Sequence, residues 1–268
     1  MRVRGARGRF EEEPMSQPLL EARELVKHYG SVEALRGASF SAHPGEVVAL
    51  IGDNGAGKST LVKCLSGVEQ PDSGSIEVAG KPVTLDSPGA ARSHGIETAY
   101  QDLAVAPDLD PAANLFLGRE IRRGGLLGKL GMLDKPAMRT RAAEQFEKFG
   151  VTLQNLDVPI GSLSGGQRQS VAVARSVAWA DKLVFMDEPT AALGVVQRER
   201  VLDVIRRVRD SGIAVVLISH NMPEVLSVAD RVEVLRLGRR VARLRAADAT
   251  LEDLVGAMTG ALSTEDES

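Results

Sequence analysis

Apolar positions along the chain follow two alternating periods. Glu46–Ile51, Leu183–Asp187 and Ile213–Ser219 are short, nearly continuous aliphatic runs, the pattern of strands covered on both faces. Leu19–Lys27 and Ala34–Ala42 read as strands near the start, with shorter ones at Ser75–Ala79 and Gly95–Tyr100. Val232–Leu237 and Arg239–Leu244 form a predicted hairpin turning at Gly238. Between these runs the spacing changes to that of helices, over Gly57–Ser66, Pro136–Phe149, Gly165–Trp179, Val195–Asp210 and Pro223–Ala229. Pro107–Lys135 is interrupted by proline and glycine and shows no single period. Strand–helix alternation predicts an α/β sheet with right-handed crossovers. Antiparallel strands are expected at its start and a helical insertion near 100–165.

Composition narrows the class. The 268 residues include 33 Lys+Arg and 36 Asp+Glu, a formal charge of −3, with 43% apolar and 26% charged residues. Such a chain can bury a real core. Near-neutrality argues against whole-surface binding of nucleic acid, and none is expected as a partner. The single cysteine, Cys64, excludes an intrachain disulfide and is expected in the core. His28, His43 and His94 show no metal-binding spacing and are expected at the surface. No apolar run approaches the roughly 20 residues that span a bilayer. Any membrane role is expected to come through a partner. Residues 1–18, Arg-rich and then acidic with Pro14 and Pro18, are expected to be a disordered leader. No apolar segment follows those arginines, so a cleaved secretion signal is disfavoured. Residues 19–259 form the expected ordered domain, and 260–268 a disordered acidic tail.

Two segments carry chemistry. Gly52-Asp53-Asn54-Gly55-Ala56-Gly57-Lys58-Ser59 fits G-x-x-x-x-G-K-[ST] between a predicted strand and a predicted helix. Glycines let backbone N–H groups curl round phosphate oxygens, and the helix N-terminus adds partial positive charge. Lys58 supplies a full charge toward the β- and γ-phosphates, Ser59 a hydroxyl for Mg²⁺, and Thr60 a donor for the α-phosphate. The plain alternative is a tight turn with a solvated lysine. The second segment, Leu183–Pro189, is an apolar strand ending in Asp187 and Glu188. Side-chain alternation lets Asp187 face a metal while Glu188 faces an attacking water as general base. Pro189 ends the strand. Two solvated acids at a strand end would look the same. Beside Lys58, however, a second parallel strand ending in Asp is the metal-holding arrangement of P-loop NTPases.

Leu163-Ser164-Gly165-Gly166-Gln167 reads as a capping box at a helix start, with paired glycines that expose N–H groups to an anion. Together with the cradle and the acid pair, it makes residues 19–259 resemble the ATP-binding cassette (ABC) ATPases. The resemblance implies an α/β fold, a P-loop NTPase (RecA-like) core with an antiparallel β subdomain and an α-helical subdomain at about 100–165. It implies ATP and Mg²⁺. It places ATP contacts at Tyr29 (stacking on adenine), Gly52, Asp53, Asn54, Gly55, Ala56, Gly57, Lys58, Ser59 and Thr60. Ser164, Gly165, Gly166 and Gln167 would contact the ATP held by a second copy. It assigns Mg²⁺ to Ser59, Gln101 and Asp187, and catalysis to Lys58, Gln101, Glu188 and His220. Where the family usually has an aspartate in the loop that crosses the dimer interface, this chain has Gly194.

Tyr100-Gln-Asp-Leu-Ala, Asn114–Glu120 and Met186–Gly194 resemble the ATPases of ribose-, xylose- and fructose-type importers, in their single-cassette form. That implies an ATP-dependent homodimer, transmembrane permease subunits, and indirectly a sugar-binding protein. It places the chain peripherally on the cytoplasmic face of the plasma (inner) membrane. An importer of another solute, such as branched-chain amino acids, shares every motif. A soluble non-transport ABC ATPase would bring a second cassette or a long coiled coil, and a kinase or GTPase would lack Leu163–Gln167.

Overall fold

The computed structural model describes residues 17–99, 105–153, 155–191 and 193–261. In chain order the elements begin β1 (Leu20–Tyr29), β2 (Val32–Ala42), β3 (Val47–Ile51), α1 (Lys58–Leu65), β4 (Ser73–Val78), β5 (Lys81–Pro82), α2 (Pro88–Ser93) and β6 (Ile96–Ala99). There follow α3 (Pro111–Leu115), α4 (Gly125–Lys129), α5 (Lys135–Lys148), α6 (Gly165–Val177), β7 (Leu183–Asp187), α7 (Val195–Asp210) and β8 (Ala214–Ile218). The chain closes with α8 (Met222–Val228), β9 (Arg231–Arg236), β10 (Arg239–Arg245) and α9 (Leu251–Thr259).

A six-stranded sheet runs in the order β10-β9-β3-β8-β7-β6. Neighbours from β9 to β6 are parallel, and β10 joins β9 as an antiparallel edge. The continuous apolar runs have a direct cause. Val184, Met186, Val215 and Leu217 point into one cluster with α5, α6 and α7, while Leu183, Phe185, Ala214 and Val216 point into another with α1 and the antiparallel strands. Helices or strands cover each face, so alternate residues are equally buried and equally apolar. The second sheet, ordered β2-β1-β4-β5, is wholly antiparallel.

The mixed pattern of Pro107–Lys135 resolves into short helices. Asp110 caps α3 with Pro111 at its first turn, and Asp134 caps α5 with Pro136 there. These prolines open helices instead of breaking them, because the first turn needs no N–H from that position. Ser87 with Pro88 opens α2 in the same way. The C-terminal helix α9 also goes beyond the sequence reading. Its capping box, Thr250 with Asp253, was written in the chain.

His43 is the one histidine whose expected surface position is overturned. It is buried, and its backbone N–H donates to Glu46 Oε1 at 2.7 Å, because the turn after β2 is closed over the Glu46–Arg231 ion pair. Cys64 is buried as expected, and burial pushes its thiol up to about 11. Among the described residues no helix is long and apolar enough to cross a membrane.

Candidate nucleotide site

The cradle follows β3 at the centre of the sheet, and its shape depends on glycine. Gly52, Gly55 and Gly57 have φ of 152°, 81° and 102°. A Cβ on Gly52 would lie 2.2 Å from Leu235 O, and one on Gly57 would lie 2.7 Å from Ala34 O. A Cβ on Gly55 would meet nothing within 4 Å, so that side of the loop is open. The predicted hairpin supports the loop from outside. Leu237 and Gly238 turn at φ 49° and 78°, and Gly238 N–H donates to Ala56 O at 2.9 Å. Nothing in the motif itself identified this buttress.

Lys58 Nζ donates to Gly52 O at 2.7 Å and to Asp53 O at 3.0 Å. Its ammonium is therefore held over its own loop. Burial lowers the Lys58 pKa, and the charges of Glu188, Asp187 and Asp53 oppose that shift. Ser59, the second residue of α1, is exposed, and Thr60 follows it.

Asp187 ends β7 opposite Ile218 of β8. Burial raises its pKa and the Glu188 charge adds to this, against Lys58. Glu188 lies just past the strand at φ 49°, a left-handed conformation uncommon for a side-chain-bearing residue. This corrects the alternation argument. Glu188 lies beyond the strand, at a left-handed residue, so strand alternation does not set its direction relative to Asp187. The Glu188 N–H still donates to Ile218 O at 2.9 Å. His220, just past β8, donates from Nδ1 to Glu188 Oε1 at 2.7 Å. The imidazole is otherwise exposed, 80% against 17% for the glutamate side chain.

Lys58, Asp187, Glu188 and His220 thus converge at the carboxyl ends of three adjacent strands, β3, β8 and β7, the crevice where parallel sheets take ligands. The other sequence-named residues lie elsewhere. Ser164 and Gln167 form both arms of a capping box on α6, at 3.3 and 3.1 Å. Gly166 packs on Gln197 of α7, whose Cγ would be 2.4 Å from an added Cβ. Tyr29 stands at the end of β1, 41% exposed, with Lys27 Nζ 5.9 Å from its ring. Asp72 fixes that strand end by accepting from His28 N–H and Lys27 Nζ, a role that sequence reasoning missed. Gln101 lies outside the described residues.

The donor set fits a divalent cation bound together with phosphate. A half-buried carboxylate whose burial and acidic neighbour disfavour its charge gains most from a cation beside it. Among the described residues no cluster of three or more His, Cys, Asp or Glu side chains forms a cation cage. A site of one carboxylate, one hydroxyl and substrate oxygens has that character.

Comparison with known proteins agrees with this geometry. Residues 35–191 match the family model described as ABC transporter. The chain belongs to the ABC transporter family. As an ABC ATP-binding domain it is an ATP hydrolase with an α/β cassette fold. A fructose import ATP-binding protein of Rhizobium meliloti is 53% identical, over 91% of this chain and 95% of its own length. A xylose/arabinose import ATP-binding protein of Sulfolobus acidocaldarius is 43% identical, over 90% and 94%. A ribose import ATP-binding protein of Rhodococcus jostii is 42% identical over 92% of this chain but only 48% of that longer protein. Among solved structures, a nucleotide-free ATP-binding cassette from an ABC transporter superposes with a TM-score of 0.76 at 26% identity, covering 91% of this chain and 96% of the other.

Proposed function

We propose that this chain is the ATP-hydrolysing subunit of an importer for a simple sugar. It acts as an ATP-dependent homodimer, bound peripherally to transmembrane permease subunits at the cytoplasmic face of the plasma membrane. A sugar-binding protein delivers solute to the permease and never touches this chain. The observation that carries hydrolysis is the Glu188–His220 hydrogen bond beside the cradle. The likeness to fructose, xylose/arabinose and ribose import proteins, near full length for the first two, supports the sugar.

The backbone N–H groups of 52–60 and the Lys58 ammonium bind the triphosphate, and Tyr29 offers its ring to the base. Ser59, Asp187 and Gln101 would hold Mg²⁺, which when bound neutralises charge between the β- and γ-phosphates. Glu188 orients and deprotonates water, and His220 holds that carboxylate in place on the γ-phosphate side. The Ser164–Gln167 segment closes on the ATP of the other copy, completing a shell that one chain leaves open.

Reconstitution with the permease and binding protein tests the reading. Fructose, xylose or ribose should stimulate ATP hydrolysis in proteoliposomes. Stimulation by a branched-chain amino acid and by none of these sugars would move the chain to another importer class.

A further inference from the structure

Glu224 lies four residues beyond His220, on α8, and is 4% exposed. Its Oε1 accepts a hydrogen bond from the Thr190 hydroxyl, and Thr190 lies two residues beyond Glu188. Its Oε2 faces Arg198 Nε of α7 at 3.6 Å, and both atoms are buried without a hydrogen-bond partner among the described residues. Arg198 in turn donates from an Nη to Leu193 O at 3.4 Å. The N-cap of α7 is Gly194, with no side chain to cap the helix. A Cβ there would lie 2.6 Å from Gln197 Oε1, so the side chain of Gln197 occupies that space.

A buried carboxylate with one oxygen lacking a donor is costly, and a well-packed apolar residue would often be cheaper. Burial does push the Glu224 pKa up, with Thr190 and Arg198 opposing. What the charge does gain is location. The chain past β7 meets the end of β8 and the chain beyond it at Glu188 N–H to Ile218 O, at Glu188 to His220, and at Thr190 to Glu224. Of these three, the Thr190–Glu224 contact alone joins two buried side chains.

We infer that Glu224, with Thr190 and Arg198, is a positioning unit that sets how the His220 imidazole meets the Glu188 carboxylate and holds Thr190 and Leu193 in place in the absence of a side chain at 194. The inference rests on the proposed hydrolysis, and deepens it by naming residues that act on the reacting pair without touching substrate. Glu224 and Thr190 should govern turnover more than nucleotide binding, since neither lies in the cradle.

The test uses the full chain with Thr190→Val, Thr190→Ser and Glu224→Gln. Steady-state hydrolysis gives kcat and KM for MgATP, and ¹⁵N NMR of the imidazoles, assigned with His220→Gln, reports the Nδ1 hydrogen bond. Thr190→Val and Glu224→Gln should lower kcat about 10-fold with KM within about 2-fold, while Thr190→Ser recovers most of the loss. The His220 Nδ1 resonance should move in Thr190→Val and return in Thr190→Ser. An unchanged His220 resonance overturns the inference whether or not the chain hydrolyses ATP. So does equal loss in the serine and valine variants, or a parental kcat in all three. Absence of hydrolysis by the parent would count against the proposed function alone, and the NMR arm still decides the positioning role.

Discussion

Glu188 Oε1 and His220 Nδ1 are 2.7 Å apart although 32 residues separate them in the chain. The proximity follows from sheet order. β7 and β8 are parallel neighbours in register, so the residues just past their carboxyl ends emerge side by side. Glu188→Gln keeps the shape but removes the proposed base. Turnover should fall by about 10²–10⁴-fold, the usual range for a lost general base, with nucleotide affinity nearly unchanged. Phosphate release assays paired with calorimetric titration check both halves.

Lys58 should act on binding more directly. Its ammonium already sits over Gly52 O and Asp53 O, aimed into the loop. Hydrogen bonds from a charged donor contribute about 1.5–3 kcal/mol, so Lys58→Ala should weaken ATP binding roughly 10- to 100-fold by calorimetry. An unchanged affinity would mean that the phosphates lie elsewhere.

The cradle glycines should not be equivalent. Gly52→Ala forces a Cβ to 2.2 Å from the Leu235 carbonyl, a backbone atom that cannot step aside. Gly55→Ala meets only left-handed strain, about 1 kcal/mol, with open space around it. Thermal melting without nucleotide should therefore show a clear drop for Gly52→Ala and a small one for Gly55→Ala.

Much of this was legible in the chain, and the gaps have identifiable causes. Leu183–Asp187 and Val195–Asp210 match β7 and α7 residue for residue, because a strand covered on both faces and a long amphipathic helix each leave an unmistakable period. The cradle and the acid pair were legible because phosphate chemistry fixes residue types at fixed spacing. The left-handed turn at Glu188 was not, since backbone twist at a single residue leaves no periodic trace. Neither was the Thr190–Glu224 contact, which joins positions 34 apart through tertiary packing alone. Pro111 fell within the stretch read as interrupted, yet the Asp110 cap before it marked a helix start.

Asp72 gives a pH-dependent test of the strand end that carries Tyr29. Its carboxyl is held down from 3.8 to about 2, chiefly by the His28 backbone N–H and then by Lys27 and the His28 ring. Because the folded value lies below the unfolded one, its contribution to stability is complete above the unfolded value and is lost as pH falls from 3.8 toward 2. Asp72→Asn should unfold at lower denaturant than the parent at neutral pH, with the gap narrowing below pH 4. A gap constant with pH would show that the charge plays no part.

The central claim is that one chain's cradle is completed by the Ser164–Gln167 segment of another. Analytical ultracentrifugation of Glu188→Gln with saturating MgATP tests it most directly. The account predicts a species of twice the 28.5 kDa chain mass that reverts to monomer when Ser164→Arg is added to the same chain. A Glu188→Gln chain that binds MgATP yet sediments as a monomer, or a dimer indifferent to Ser164→Arg, would contradict it.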